Sequence, residues 1–110
     1  MEIRTLQEAV DLWIKSTGKG YFSELTNMAV LTEEVGELAR VVARMYGDQV
    51  AKPGDLDADD PKNSLREEIA DVLWVLAAIA NQTGVDLDQA FTENLKKKQV
   101  RDSERFGSKK

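Results

Sequence analysis

Apolar residues in this chain return every three or four positions and never alternate strictly, so its segments can bury helix stripes but not sheet faces. Four blocks carry that period. The first runs from about Thr5 to Thr17, with Leu6, Val10, Trp13 and Ile14 on one side and Thr5–Glu8 as a capping box. Gly18 and Gly20 end it. The second starts near Ser23 and reaches Tyr46, with Met28, Leu31, Val35, Leu38, Val42 and Met45 as its seam. The third begins at Ser64, again with a capping glutamate at Glu67, and ends at Gly84. The fourth opens near Asp86 or Asp88 and runs to about Arg105, with Phe91 and Leu95 as its apolar side. Residues 47–63, GDQVAKPGDLDADDPKN, have no period and read as a solvated acidic connector, and 107–110 as a loose tail. The expectation is one all-α domain over residues 1–110, a four-helix bundle whose broad apolar faces call for a homodimer or a dimer of dimers.

Two absences narrow the chemistry. Without cysteine there is no disulfide framework or thiolate, which points to a cytoplasmic setting. Without histidine, His/Cys zinc sites, Ser-His-Asp triads and Glu-x-x-His di-iron centres are excluded, leaving hard cations with oxygen ligands. The net charge of −5 is uneven: seven Lys/Arg face two acids in 95–110, so that segment carries +5 and the rest −10. That balance argues against a nucleic-acid surface, and the apolar run at 72–80 is too short to span a membrane. A local basic cluster beside an acidic site suits a small phosphorylated ligand bridged by metal.

The acidic site is legible on helical wheels. LTEEVGELAR (31–40) and LREEIADVLW (65–74) place carboxylates inside apolar arcs. With Val35 at zero, Glu34 falls at about −100° and Glu37 at about −160°, both bracketed by apolar side chains, while Glu33 shares a face with Arg40 and Arg44. With Val72 at zero, Glu68 falls at about −40° and Asp71 at about −100°, with Glu67 further round. Glu34 with Glu37, and Glu68 with Asp71, are thus two inward i, i+3 pairs. Two such charges about 4 Å apart repel by roughly 4 kcal/mol at an effective dielectric of about 20. Magnesium held between the two helices is the economical remedy, with Mn²⁺ a substitute, because it takes oxygen ligands and keeps waters for substrate phosphates. The competing reading is an acidic, solvated face on a non-enzymatic helical dimerisation module.

In FTENLKKKQVRDSERF (91–106), Asn94, Lys97 and Arg101 fall within about 60° of one another, whereas Lys96 and Lys98 point elsewhere. An aligned Lys and Arg can bind phosphate as a point charge and a fork. For a base, the chain offers Gln7 and Trp13 on the first helix and Tyr21 and Phe22 after it; Trp74 faces away from the carboxylates and fits a subunit contact.

EVGE (34–37) with EIAD (68–71), followed by Lys97 and Arg101, resembles the MazG-like nucleotide pyrophosphohydrolases of the all-α NTP pyrophosphatase superfamily. GYFS (20–23), EEIADVLWVLAAIAN (67–81) and RDSERF (101–106) are similar to its short single-domain members, and the resemblance covers nearly all of 5–106. It implies a MazG fold and metal ligands at Glu34, Glu37, Glu68 and Asp71. Glu33 and Glu67 would stand behind these ligands or bind an additional ion. It further implies phosphate contacts at Lys97 and Arg101, and hydrolysis of a nucleoside triphosphate to the monophosphate and pyrophosphate. Phosphoribosyl-ATP or a specific pyrimidine triphosphate (dUTP, dCTP) are alternative substrates within the same superfamily.

Overall fold

In the computed structural model, residues 1–48, 52–54, 56 and 60–106 are described. They form four helices, α1 Ile3–Ser16, α2 Glu24–Tyr46, α3 Pro61–Thr83 and α4 Leu87–Phe106, with no strand among the described residues. Much of the acidic connector (49–51, 55, 57–59) and the 107–110 tail lie outside the described residues.

Two starts differ from the capping-box expectation. α1 begins at Ile3, with Glu2 as its N-cap and no side-chain cap, so Thr5 lies inside the helix. The extra residues add apolar contact: Ile3 and Leu6 line a groove with Leu73, Leu87 and Phe91. α3 begins at Pro61, one turn before Ser64, because proline suits the first helical position, where no N–H is needed. The other ends follow local chemistry. The Ser23 hydroxyl accepts the Thr26 N–H at 3.1 Å, and the Asp86 carboxylate accepts the Gln89 N–H at 3.1 Å. Gly84 closes α3 at φ 73°, a left-handed conformation that glycine adopts without a side-chain penalty. Gly18 is required by space, since a Cβ there would meet the Trp13 ring at 2.8 Å.

The main packing is α2 against α3, antiparallel, with Asn27 near the start of α2 bonded to Gln82 near the end of α3. α1 crosses α3, where Val10 and Ile14 pack on Ala77 and Ala78 and the alanines let the backbones approach. The seam of α2 is rotated from the expected one. Leu31, Leu38 and Met45 are half-buried as anticipated, but the stripe facing α3 also includes Asn27, Val30, Glu34 and Val41. Met28, Val35 and Val42 remain 51%, 48% and 42% exposed. The apolar arc of α2 is therefore wider than one neighbouring helix covers. α3 has the same surplus in Ile69, Leu73 and Leu76, all exposed.

α4 leans on α1 and is exposed along most of its length. The radius of gyration is 17.6 Å, against about 13 Å for a compact chain of this length.

Gln7 joins three elements. Its amide nitrogen donates to the Asn81 side-chain carbonyl at 3.0 Å and to the Val85 carbonyl at 2.9 Å, and its oxygen accepts the Leu87 N–H at 2.8 Å. The Asn81 amide returns a bond to the Gln7 backbone carbonyl at 2.9 Å. This residue, considered above for base contact, uses its amide to pin the α3–α4 turn to α1. Gln7→Leu strands those partners, and urea unfolding is expected to show a loss of about 1–3 kcal/mol. A change within error would mean the bracket adds nothing.

Candidate metal centre

Glu34 and Glu68 approach each other across the α2–α3 interface because each lies on the stripe its helix turns toward the other. One carboxylate oxygen from each of Glu34, Glu37 and Glu68 lies within 4.8 Å of the other two. Glu34 and Glu68 are half-buried and Glu37 is exposed. The Oε2 atoms of Glu34 and Glu68 are both buried with no hydrogen-bond partner. Buried acceptors without donors are rare in proteins, because each loses water and gains nothing in return.

Burial, above all, raises the pKa of both groups, and neighbouring carboxylates add to it: Glu37, Asp71 and Glu33 for Glu34; Glu37, Asp71 and Glu34 for Glu68. The charges that dominate this spot are thus negative. Asp71 is exposed and outside the set of three converging oxygens, yet close enough for its charge to act on both glutamates. Glu33 and Glu67 are exposed on the flanks. Three convergent carboxylate oxygens, with Asp71 close by, form a donor set for a hard divalent ion.

The basic residues sit elsewhere in the chain. Lys97 and Arg101 share a shallow depression with Lys96, Val100 and Glu104, so Lys96 joins the stripe and does not point away from it. Arg101 is 3.4 Å from the carboxylate of Asp102. Asn94 is exposed on the same helix. Because α4 packs on α1, this stripe is not brought onto the α2–α3 carboxylates within one chain.

One turn beyond the carboxylates, toward the start of α2, lies a cavity of about 220 Å³ lined by Trp13, Tyr21, Phe22, Asn27, Val30 and Trp74, among others. Trp13 and Trp74 meet edge to face at 5.6 Å, so Trp74 contacts its own chain where a subunit contact was expected. The Tyr21 hydroxyl donates to Asp11 at 2.6 Å, and Lys15 holds the same carboxylate at 3.1 Å. Wheel reasoning passed over Asn27, which is 6% exposed. The signal was present: Asn27 lies two turns before Glu34 on the same stripe, a polar residue at a seam position.

Comparison with known proteins identifies the family of this fold. The profile of the MazG nucleotide pyrophosphohydrolase domain matches residues 22–106. YpjD of Bacillus subtilis (strain 168), described as uncharacterized, is 42% identical over 107 residues, spanning 97% of this chain and 92% of YpjD. The crystal structure of YpjD from Bacillus subtilis, solved as a candidate pyrophosphatase, superposes with a TM-score of 0.77 at 40% identity over 88% of this chain and 94% of that one. A Bacillus-conserved MazG protein described as a nucleotide pyrophosphohydrolase gives 0.72 at 37% identity over 88% of both chains. The chain belongs to the MazG nucleotide pyrophosphohydrolase family, and it is an enzyme of that class.

The raised pKa values have a thermodynamic sign. The folded protein holds these protons more tightly than the unfolded chain, so the associated stability is full below the ordinary value of 4.5 and is lost as pH rises through the raised folded values. Metal-free Glu34→Gln, which removes one charge, should melt within error of wild type at about pH 4 and a few degrees higher at about pH 7.5. A melting temperature lowered at the higher pH would show that the repulsion is not there.

Proposed function

We propose that this chain is a Mg²⁺-dependent nucleoside triphosphate pyrophosphohydrolase, with Mn²⁺ as a substitute ion, that converts (d)NTPs to (d)NMPs and pyrophosphate and cleans the nucleotide pool. Two observations carry this reading together: Glu34 and Glu68 each keep a buried Oε2 with no hydrogen-bond partner, and one carboxylate oxygen from each lies within 4.8 Å of the other and of one from Glu37. Glu34, Glu37, Glu68 and Asp71 hold the ion, with Glu33 and Glu67 on the flanks to take a further one. The ion supplies neutralisation of phosphate charge and a lowered water pKa. Lys97 and Arg101 grip the phosphates from the other side, with Asn94 as a neutral donor, and the aromatic residues Trp13 and Tyr21 border the space for the base. Water adds to the α-phosphorus, the bond to the bridging oxygen breaks, and pyrophosphate leaves.

The expected result is release of pyrophosphate and monophosphate in equal amounts from triphosphates with Mg²⁺, abolished by chelation and reduced at least about a hundredfold in Glu37→Gln. Release of single phosphates, or full activity in the variant, would overturn the assignment.

The same reading requires a homodimer, or a tetramer built from two. The Lys97–Arg101 stripe does not meet the carboxylates of its own chain, while α2, α3 and α4 all keep apolar surface exposed. A second copy would cover that surface and present its α4 to the acidic site. Mixing Glu37→Gln with Lys97→Ala/Arg101→Ala chains after co-refolding should then restore about a quarter of the wild-type rate, since half of random dimers are mixed and half of their sites intact. No recovery would place the basic residues and the carboxylates of a working site in the same chain.

A further inference from the structure

Asn27 lines the aromatic cavity, and a relay of hydrogen bonds sets its orientation. The Phe22 backbone carbonyl can only accept, so Gln82 must present its amide nitrogen there, at 2.7 Å. The same nitrogen lies 3.3 Å from the Glu24 carboxylate, a second pure acceptor. The Gln82 carbonyl is thereby turned to Asn27, which meets it with its own amide nitrogen at 2.8 Å. Among the described residues no hydrogen bond engages the Asn27 carbonyl oxygen, and the residue, 94% buried, lines the cavity together with Trp13, Tyr21, Phe22 and Trp74.

From this geometry we infer that Asn27 is a specificity-determining residue, and that the cavity selects nucleobases carrying an exocyclic amine, as cytosine and adenine do, over their keto counterparts. The inference rests on the pyrophosphohydrolase reading above and names the substrate class of that site. Two helical turns separate Asn27 from Glu34, about 10 Å along α2, a gap that a sugar bridges between a metal-held phosphate and a base. The flat walls suit a stacked ring, and the half-exposed Trp13 indole offers surface for it. An amine meeting the Asn27 oxygen completes a hydrogen bond in a nearly dry place. A keto oxygen at the same position sets two acceptors against each other, and buried unpaired acceptors are costly. Gln82 acts through Asn27 and is a positioning residue.

Matched pairs that exchange this amine for a keto oxygen, with the proton change at the adjacent ring nitrogen that accompanies it, make the test: dCTP against dUTP, and dATP against dITP, compared by kcat/KM. Wild type is expected to favour the amine in each pair that fits the cavity by about tenfold or more. Asn27→Leu should bring the ratio to within about twofold by slowing the amine substrate. Gln82→Met, which leaves Asn27 in place but frees its amide to turn, should narrow the ratio too, and it carries the test if Asn27→Leu does not fold. A merely structural Asn27–Gln82 link would lower the melting temperature of both variants and leave the ratio alone. An unchanged ratio in the folded variants, or equal rates in both wild-type pairs, overturns the inference while leaving the pyrophosphatase reading intact. Failure of the wild type to hydrolyse any triphosphate overturns both.

Discussion

The repulsion between carboxylates from α2 and α3 governs this structure. These helices form the largest interface in the chain, yet at its centre each contributes a glutamate with a buried oxygen that no donor reaches. A sequence selected only for stability would fill those positions with leucine. Unpaired charge at a helix seam marks a place where stability is given up for binding, as functional sites commonly do. The surrounding structure limits the damage. Val41 and Val75 are buried on the same two helices, and the Asn27–Gln82 relay ties them together near one end, so the pair is held on either side of the repulsive turn.

Packing also explains why the four carboxylates differ among themselves. Glu34 and Glu68 are half-buried on the seam, whereas Glu37 and Asp71, one turn along, are exposed at its edge. The inner pair is preorganised by burial and carries the raised proton affinity. The outer pair is reachable from solvent. On the proposed reading, this gradient from fixed to accessible carboxylates suits a site that binds a metal–phosphate complex and then releases the products.

Much of this was readable in the residues, for physical reasons that differ by element. The all-α class followed from an unbroken three-and-four period, and glycine and proline at the helix junctions located the breaks closely. Of the four carboxylates the spacing singled out, Glu34, Glu37 and Glu68 converge in space, since i, i+3 neighbours on one helix stay neighbours whatever packs against them, while Asp71 lies outside that set. What the wheel could not supply was the direction of the partner helix. Centring α2 on Val35 assumed that the middle of its apolar arc faces α3, but Met28, Val35 and Val42 are exposed and the contact is rotated toward Glu34 and Val41. An arc wider than one neighbour has no unique centre. The helix starts were missed for a related reason: Thr5 and Ser64 are competent caps, but tertiary contact at Ile3 and a proline at Pro61 extend the helices past them.

The same surplus of apolar surface bears on how the site works. An arc too wide for one neighbour, a fourth helix lying mostly in solvent and a radius of gyration well above that of a compact chain are three views of one incompleteness. A monomer that closed α4 over α2 and α3 would bury its own Lys97 and Arg101 against Glu34 and Glu68 and neutralise the site with internal ion pairs, leaving little affinity for metal or phosphate. With the cationic helix on α1, the carboxylates of α2 and α3 keep their negative potential. In the proposed assembly the positive groups would come from the partner's α4, and opposite charges separated by a substrate would not cancel each other in its absence.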